Sequence, residues 1–226
     1  MTAKKAGTAA GRGYRGRSAE ELRAERRERL LNAAFAVVGE EGYARLSIDR
    51  VCAAARVTTR HYYEHFQGRE ALLHGLFERI ENELWSIITR ALTEPAVELE
   101  RRHHDAIRSF VRHALSDPRR ARILCLESVG VSPQMETRRR RLIRRIAGLI
   151  DHNVQQLVAA GVLPPADYYL QGIALVGGIH ELLAEWLTGD IAIDVEGMEL
   201  RVLQLFHSVI IGTAQTVAPQ YARKAS

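Results

Sequence analysis

Apolar residues recur at helical spacing along most of the chain, and no segment shows the alternation of apolar and polar residues that marks a half-exposed strand. Near the N-terminus, Leu30, Ala34, Val37 and Val38 mark one face of a helix that Gly42 closes. The pattern therefore predicts an all-α protein.

Two short helices joined by a three-residue turn follow, in residues 46–66 (LSIDRVCAAARVTTRHYYEHF). Ser47 can cap the first helix and Thr58 the second, and each cap lies inside an apolar pair that can form a hydrophobic staple. Helices this short need a packing partner, which the preceding helix supplies. We predict a three-helix, helix-turn-helix domain over residues 18–68.

The second of these helices has a polar face suited to DNA. Tyr62 is expected to face the core, which leaves Thr59, Arg60, His61 and Tyr63 pointing outward or toward the flank. Arginine can bond guanine O6 and N7 in the major groove, and hydroxyl groups can bond phosphate oxygens. The alternative interpretation is an ordinary surface helix whose polar side chains are only solvated.

A series of short motifs runs through residues 26–73. It contains an Ala-rich helix, Gly-Tyr, a hydroxyl residue before Ile, Ala-Ala-x-Val-Thr, Tyr-x-His-Phe, a basic-acidic pair and a Leu pair. These motifs resemble the tetracycline-repressor (TetR) family of bacterial transcription regulators. The resemblance implies an N-terminal three-helix DNA-binding domain and a variable, all-helical ligand-binding and dimerisation domain.

Carried over position by position, the resemblance implies one set of DNA contacts, with Arg69 as the basic residue that opens the fourth helix. The candidate DNA-binding residues are Ser47, Thr58, Thr59, Arg60, His61, Tyr63, His65 and Arg69. One position departs from the family, because Arg56 stands where the turn usually has glycine. A non-glycine residue at positive φ costs roughly 1 kcal/mol, so we expect strain or altered geometry there.

Charge is concentrated at the N-terminus of the 226-residue chain. Residues 1–17 hold five of the 32 Lys and Arg residues and no acidic residue, so the other 27 basic residues balance the 27 acidic ones. This composition predicts a disordered basic arm that could follow the DNA backbone or enter the minor groove. A solubilising extension without DNA contact is the alternative.

The rest of the chain, residues 69–218, is predicted to be a helical regulatory and dimerisation domain, with a flexible tail over residues 219–226. The expected helices are Arg69–Thr93, Pro95–Leu115, Pro118–Val129, Ser132–Ala160, Ala166–Thr188 and Val195–Val217. The last two are apolar on more than one face, so one face can serve the core and another a partner. We expect a homodimer through these two helices, as the resemblance also implies, and hence a palindromic operator in double-stranded DNA.

Polar residues that interrupt apolar helix faces are the candidate effector contacts. They are His103, Glu127, Arg139, Asn153 and His180. If they line a cavity, it would accept a largely apolar small molecule held by a few polar contacts. Glu127 is also a plausible internal partner for a buried arginine, and each of the five could instead be a satisfied core or interface group.

Two other clusters could carry chemistry. Residues 138–145 hold six arginines, for which a solvated face is the preferred interpretation and a phosphate-bearing effector the lesser one. Residues 61–65 match H-x-x-E-H, a zinc-peptidase signature, although no strands are expected to frame a cleft. Cys52 and Cys125 are expected to be packing residues, with a thiol sensor at Cys125 as the alternative.

Together these features predict a sequence-specific transcription regulator, most simply a repressor that a small-molecule effector releases from its operator. Activators share this architecture, so the sign of regulation is left open. A DNA-binding adaptor of the nucleoid or of cell division, working without an effector, is the alternative. We expect no enzymatic activity, no cofactor and no metal. With neither an apolar leader nor a membrane span in the sequence, a cytoplasmic, nucleoid-associated protein is expected.

Overall fold

The computed structural model describes residues 18–95 and 97–224, and this part of the chain is helical, without a strand. The expected basic arm, residues 1–17, lies outside the described residues. In chain order the helices are α1 (Ala19–Glu41), α2 (Ile48–Ala55), α3 (Thr59–Tyr63), α4 (Arg69–Leu92), α5 (Leu99–Ser116), α6 (Pro118–Arg122), α7 (Pro133–Ala159), α8 (Tyr169–Thr188) and α9 (Val195–Lys224). A 3-10 turn, Tyr43–Arg45, precedes α2, and one π-helical turn, Ile123–Glu127, follows α6. The predicted all-α class is confirmed.

Local capping sets where α1 begins and ends. The Ser18 hydroxyl accepts a hydrogen bond from the Glu21 amide at 3.1 Å, and the Glu21 carboxylate accepts one from the Ser18 amide at 2.7 Å. This reciprocal box satisfies two of the amides that a helix start leaves without partners. At the other end, Gly42 has φ +91°, a conformation that side chains with a Cβ atom rarely adopt.

The helix-turn-helix follows the predicted caps. The Ser47 hydroxyl accepts from the Arg50 amide at 3.3 Å, and the Thr58 hydroxyl accepts from the His61 amide at 3.4 Å. Between the two helices, Arg56 adopts the left-handed conformation, with φ 51° and ψ 46°. The expectation of a non-glycine residue at positive φ in this turn is therefore confirmed.

The helices α1–α3, which we call the headpiece (residues 18–68), share one core with α4. Tyr62 of α3 is fully buried, and its hydroxyl donates to the Gly68 carbonyl at 2.9 Å, just before α4 begins. The buried residues of this cluster are Leu30, Leu31, Ala34, Val38, Val51, Tyr62 and Phe66 of the headpiece with Leu72, Leu73, Leu76, Phe77 and Ile80 of α4. Burial of so many large side chains makes α4 the structural link between the headpiece and the rest of the chain.

The remaining helices pack around two further clusters. In one, Val111 and Leu115 of α5 meet Leu183 of α8 and Val202 of α9. In the other, α7, α8 and α9 meet around Val154, Tyr168, Leu175, Phe206 and Ile210. Among the helices that the structure describes, none has both the length and the apolar character that a membrane span requires.

Several helix boundaries differ from those expected from the sequence. The helix expected from Pro95 begins at Leu99, because a turn closed by the Val97 amide and the Glu94 carbonyl comes first. The segment expected as one helix to Val129 is split into α6 and the π-helical turn.

The last two helices also begin or end elsewhere than expected. The helix expected from Ala166 begins at Tyr169, whose amide bonds the Asp167 carboxylate at 3.0 Å. The last helix continues to Lys224, so most of the expected tail at 219–226 is helical. Ala, Gln, Arg and Lys in that stretch favour helix even without an apolar stripe.

Candidate functional site

The outer face of α3 consists of polar side chains held above a buried aromatic residue. Thr59, Arg60 and Tyr63 are exposed, whereas Tyr62 between them is fully buried. Arg60 makes no hydrogen bond or ion pair within the described residues. Because α3 cannot roll without exposing Tyr62, these three side chains are held facing solvent.

His61 and Glu64 interact with each other and with neighbouring elements. The His61 ring lies 3.0 Å from the Thr58 hydroxyl through Nδ1 and 4.0 Å from the Glu64 carboxylate through Nε2. Glu64 also lies 4.0 Å from the Arg26 guanidinium, and its carbonyl accepts from Arg23 at 3.1 Å. This arrangement turns Glu64 toward arginines of α1.

Three other candidates flank α3 in different environments. Ser47 is exposed at the start of α2, and Arg69 is exposed at the start of α4 with its guanidinium 5.1 Å from the centre of the Tyr43 ring. His65, by contrast, has a buried Nε2 atom that meets no hydrogen-bond partner in the described part of the chain. Burial, followed by the positive charges of Arg23 and Arg26, lowers the His65 pKa. A phosphate contact through Nε2 of His65 has no support in this arrangement.

A cavity of about 150 Å³ lies among the helices that follow the headpiece. Apolar side chains from α4, α5, α7 and α8 form most of its wall, and α6, the π-helical turn and α9 complete it. The apolar lining includes Phe77, Leu84, Ile88, Leu92, Ala106, Ile107, Phe110, Ala121, Leu124, Leu142, Ile146, Ile150, Leu175, Val176, Ile179, Leu183 and Phe206. An apolar wall of this kind favours an aliphatic or aromatic occupant.

Four of the five predicted effector contacts line this cavity: His103, Arg139, Asn153 and His180. Arg139 is paired with Glu136, to whose two oxygens its Nε and Nη2 atoms donate at 2.9 and 3.1 Å. Among the residues that the structure describes, the buried Nε2 atom of His180 has no hydrogen-bond partner. Burial, and then the charge of Arg139, lowers the pKa of His180, so this imidazole is neutral at pH 7.

The other two polar contacts, Asn153 and His103, each interact with a neighbouring residue. The Asn153 amide donates to the Leu149 carbonyl at 2.8 Å. The His103 ring stacks on Phe206 with ring centres 5.7 Å apart. Cys125 also lines the cavity, and burial raises the pKa of its thiol to about 12. A thiol held in that state reacts slowly, which fits packing rather than sensing.

Glu127 does not line the cavity, and we remove it from the set of ligand contacts. Its carboxylate accepts from the Tyr43 amide at 2.8 Å and from Arg122 Nε at 3.0 Å. The partner of the semi-buried Arg139 is Glu136 instead, three residues earlier on the same helix. That spacing alone could have identified the pair, because residues at i and i+3 are neighbours on a helix surface.

Most of the arginines in residues 138–145 of α7 form ion pairs or face solvent. Arg138 and Arg145 both reach Glu81 of α4, at 3.3 and 3.1 Å, whereas Arg140, Arg141 and Arg144 are exposed. This distribution matches the preferred interpretation of a solvated outer face.

The H-x-x-E-H match falls across α3 and the residues after it. Its two histidines differ in environment, since His61 contacts Thr58 and the Nε2 atom of His65 is buried. Within the described part of the chain, no group of three or more His, Cys, Asp or Glu residues could hold a metal ion. The geometry therefore gives no support to a peptidase.

The chain resembles known proteins in the sequence of its headpiece and in its overall fold. Residues 30–76 match the sequence profile described as "Bacterial regulatory proteins, tetR family". The sequence has no significant match among curated proteins.

Solved structures share the fold over most of the chain. A TetR-family transcriptional regulator from Syntrophomonas wolfei is 22% identical, with 83% of this chain and 96% of that chain covered and a TM-score of 0.71. One from a Rhodococcus species is 17% identical, with 82% and 99% covered and a TM-score of 0.71. The regulator FadR from Bacillus subtilis, solved in complex with stearoyl-CoA, is 17% identical, with 81% and 97% covered and a TM-score of 0.69. At these identities the likeness shows the fold alone.

Proposed function

We propose that the chain, whose residues 30–76 match the tetR family of bacterial regulatory proteins, is a DNA-binding repressor. A small-molecule effector would release it from a palindromic operator. The observation that carries the proposal is an exposed polar face on α3 joined through one core to helices that enclose an apolar cavity. Such an arrangement places two binding sites on one packed structure, as allosteric coupling requires.

For DNA, we propose that α3 enters the major groove. Arg60 has the free guanidinium that guanine recognition requires, and Thr59 and Tyr63 can bond phosphates. Ser47, Thr58, His61 and Arg69 would bind the backbone on either side, where an exposed hydroxyl or cation can position the protein without reading sequence. We do not include His65 among the proposed contacts, because its buried Nε2 atom could not reach a phosphate.

For the effector, we propose a largely apolar molecule with one polar group. The apolar wall would bury an alkyl or aryl group, and the unpartnered Nε2 atom of His180 near Arg139 would orient the polar end. The B. subtilis FadR structure, which contains stearoyl-CoA, is a precedent for an acyl ligand within this fold.

For assembly, we propose a homodimer through α8 and α9. These helices expose large apolar side chains at Leu170, Leu200 and Ile211, the first of them 65% exposed. A Cβ atom added at Gly177 would meet nothing within 4 Å among the described residues, which leaves space for a close helix approach. A two-fold dimer would place the two α3 helices on successive turns of DNA.

The decisive experiment is selection of bound fragments from the host genome by the purified full-length protein at moderate salt, followed by sequencing. We expect a short palindrome beside a few genes. Many dispersed sites would instead support the alternative of a DNA-binding adaptor that works without an effector. No enrichment over random DNA would overturn the proposal.

A variant pair then tests the role of Arg60 on the selected operator. Arg60→Ala should weaken operator binding by about 1–3 kcal/mol and relax the preference at one base pair, because it removes a bidentate contact to guanine. Arg144→Ala removes the same charge from the exposed face of α7 and should leave operator affinity unchanged. Equal loss of affinity for operator and random DNA in Arg60→Ala would rule out base recognition by Arg60.

A further inference from the structure

Glu127 connects two parts of the chain that are far apart in sequence. Its Oε2 atom accepts a hydrogen bond from the Tyr43 amide at 2.8 Å, and its Oε1 atom accepts one from Arg122 at 3.0 Å. The side chain is only 17% exposed, so both bonds are shielded from water. A charge-assisted bond to a backbone amide in such a place is stronger than one at an open surface.

The amide that Glu127 holds lies at the junction between α1 and α2. Tyr43 follows Gly42, where α1 ends, and opens the 3-10 turn that leads to Ser47 and α2. A Cβ atom on Gly42 would lie 3.0 Å from Glu127 Oε2, so glycine is needed there both for its φ and for the approach of the carboxylate. The Tyr43 ring, in turn, lies under Arg69 at the start of α4.

The segment that contains Glu127 faces the cavity on its other side. Glu127 is the last residue of the π-helical turn, and Leu124 and Cys125 of the same turn line the cavity. A π-helical turn contains an extra residue relative to α-helix and often marks a functional position. If this turn relaxed to α-helical geometry, the residues after the change would rotate by roughly 100° about the helix axis, and Glu127 would leave Tyr43.

We propose that Glu127 is the positioning residue through which the cavity controls the headpiece. An occupant that displaces Leu124 or Cys125 changes the π-helical turn, the carboxylate leaves the Tyr43 amide, and the α1–α2 junction loses the contact that orients α2 and α3. This inference rests on the proposed DNA-binding function and adds the residue that transmits its regulation.

Contacts near Glu127 attach α6 to α1 without its carboxylate, so the role of Glu127 is not simply to hold these two helices together. Arg119 of α6 bonds Glu40 at 2.7 Å, and its guanidinium lies 4.8 Å from the centre of the Phe35 ring, so α6 is anchored to the body of α1 independently of Glu127. Removing the Glu127 carboxylate should therefore leave α6 packed on α1 and free only the junction.

Because coupling between sites is reciprocal, operator DNA can serve as the probe without a known effector. Cys125, in the π-helical turn, is the reporter. The experiment measures the alkylation rate of Cys125 by iodoacetamide in the full-length protein, with and without saturating operator, by mass spectrometry of the Cys125 peptide. In the wild-type protein, operator binding should change this rate by about fivefold or more, the lower end of ordinary allosteric coupling.

Glu127→Ala should still bind operator, but its Cys125 rate should no longer respond to DNA. Arg112→Ala, which breaks an ion pair to Glu199 between α5 and α9, is the matched control and should keep the wild-type response. If Glu127→Ala fails to bind operator, Glu127→Asp replaces it, because the side chain shortened by one methylene group keeps its charge but cannot reach both partners.

The outcomes separate the two proposals. The role of Glu127 is overturned if operator binding still changes the Cys125 alkylation rate of the Glu127 variant as it does in the wild-type protein. It is also overturned if operator binding leaves that rate unchanged in the wild-type protein. Failure of the wild-type protein to bind any specific DNA would instead overturn the proposed function itself.

Discussion

The left-handed residue in the helix-turn-helix turn allows a direct measurement of backbone strain. Arg56 has φ 51° and ψ 46°, its amide bonds the Ala53 carbonyl at 3.2 Å, and the next amide, of Val57, bonds the Cys52 carbonyl at 3.0 Å. These bonds hold the conformation in place. The Arg56 side chain is exposed and makes no hydrogen bond or ion pair within the described residues, so only its Cβ atom is expected to affect stability.

The magnitude follows from two opposing terms. The left-handed conformation costs a residue with a Cβ atom about 1–2 kcal/mol, which glycine avoids. Glycine also gains freedom in the unfolded chain, which offsets about 0.4–1 kcal/mol of that benefit. We therefore expect Arg56→Gly to be more stable than Arg56→Ala by roughly 0.5–1 kcal/mol.

Arg56→Ala is the proper reference because both variants lose the charge and every group beyond the Cβ atom, and they differ only in the Cβ atom itself. Thermal unfolding of the two, followed by circular dichroism at equal protein concentration, should place the glycine variant higher by about 1–4 °C. If the alanine variant melts at the same temperature or higher, the strain argument fails.

Two further predictions concern packing in the larger domain. Gly148→Ala in α7 should stabilise the fold by about 0.5–1 kcal/mol, since the added Cβ atom would meet nothing within 4 Å among the described residues. Gly172→Ala in α8 should instead destabilise the fold by about 1–3 kcal/mol, since its Cβ atom would lie 3.0 Å from the Ala147 carbonyl oxygen. Urea unfolding that gives both changes the same sign would contradict this packing. Because burial raises its pKa to about 12, the Cys125 thiol should react slowly with Ellman's reagent in the folded protein and rapidly in urea, and equal rates would contradict its burial.

The headpiece could be predicted from sequence because its determinants are local. Ser47 and Thr58 act within three residues of their own positions, and the strained turn at Arg56 lies between them. The orientation of α3 could be predicted for the same reason, because the side chains of Tyr62 and its polar neighbours project at fixed angles about one helix axis.

The cavity was only partly predictable. Arg139 and Asn153 could be identified because each interrupts an apolar arc of α7, and a polar residue at such a position faces the same interior as its neighbours. The volume of the cavity, and the absence of a partner for the His180 Nε2 atom among the described residues, depend on how six separate helices meet. No pattern of residues within one helix specifies the distances between helices.

Glu127 shows where the helical period ceases to apply. Between Ile123 and Glu127 the backbone follows π-helical geometry, so each residue advances by a smaller angle than the 100° of α-helix, and a helical wheel drawn through the segment assigns later side chains to the wrong direction. The carboxylate of Glu127 bonds the Tyr43 amide, whereas Cys125, two residues earlier, lines the cavity. Because side chains of this one turn lie on both sides of the wall between cavity and headpiece, a change in the geometry of the turn can couple the two sites.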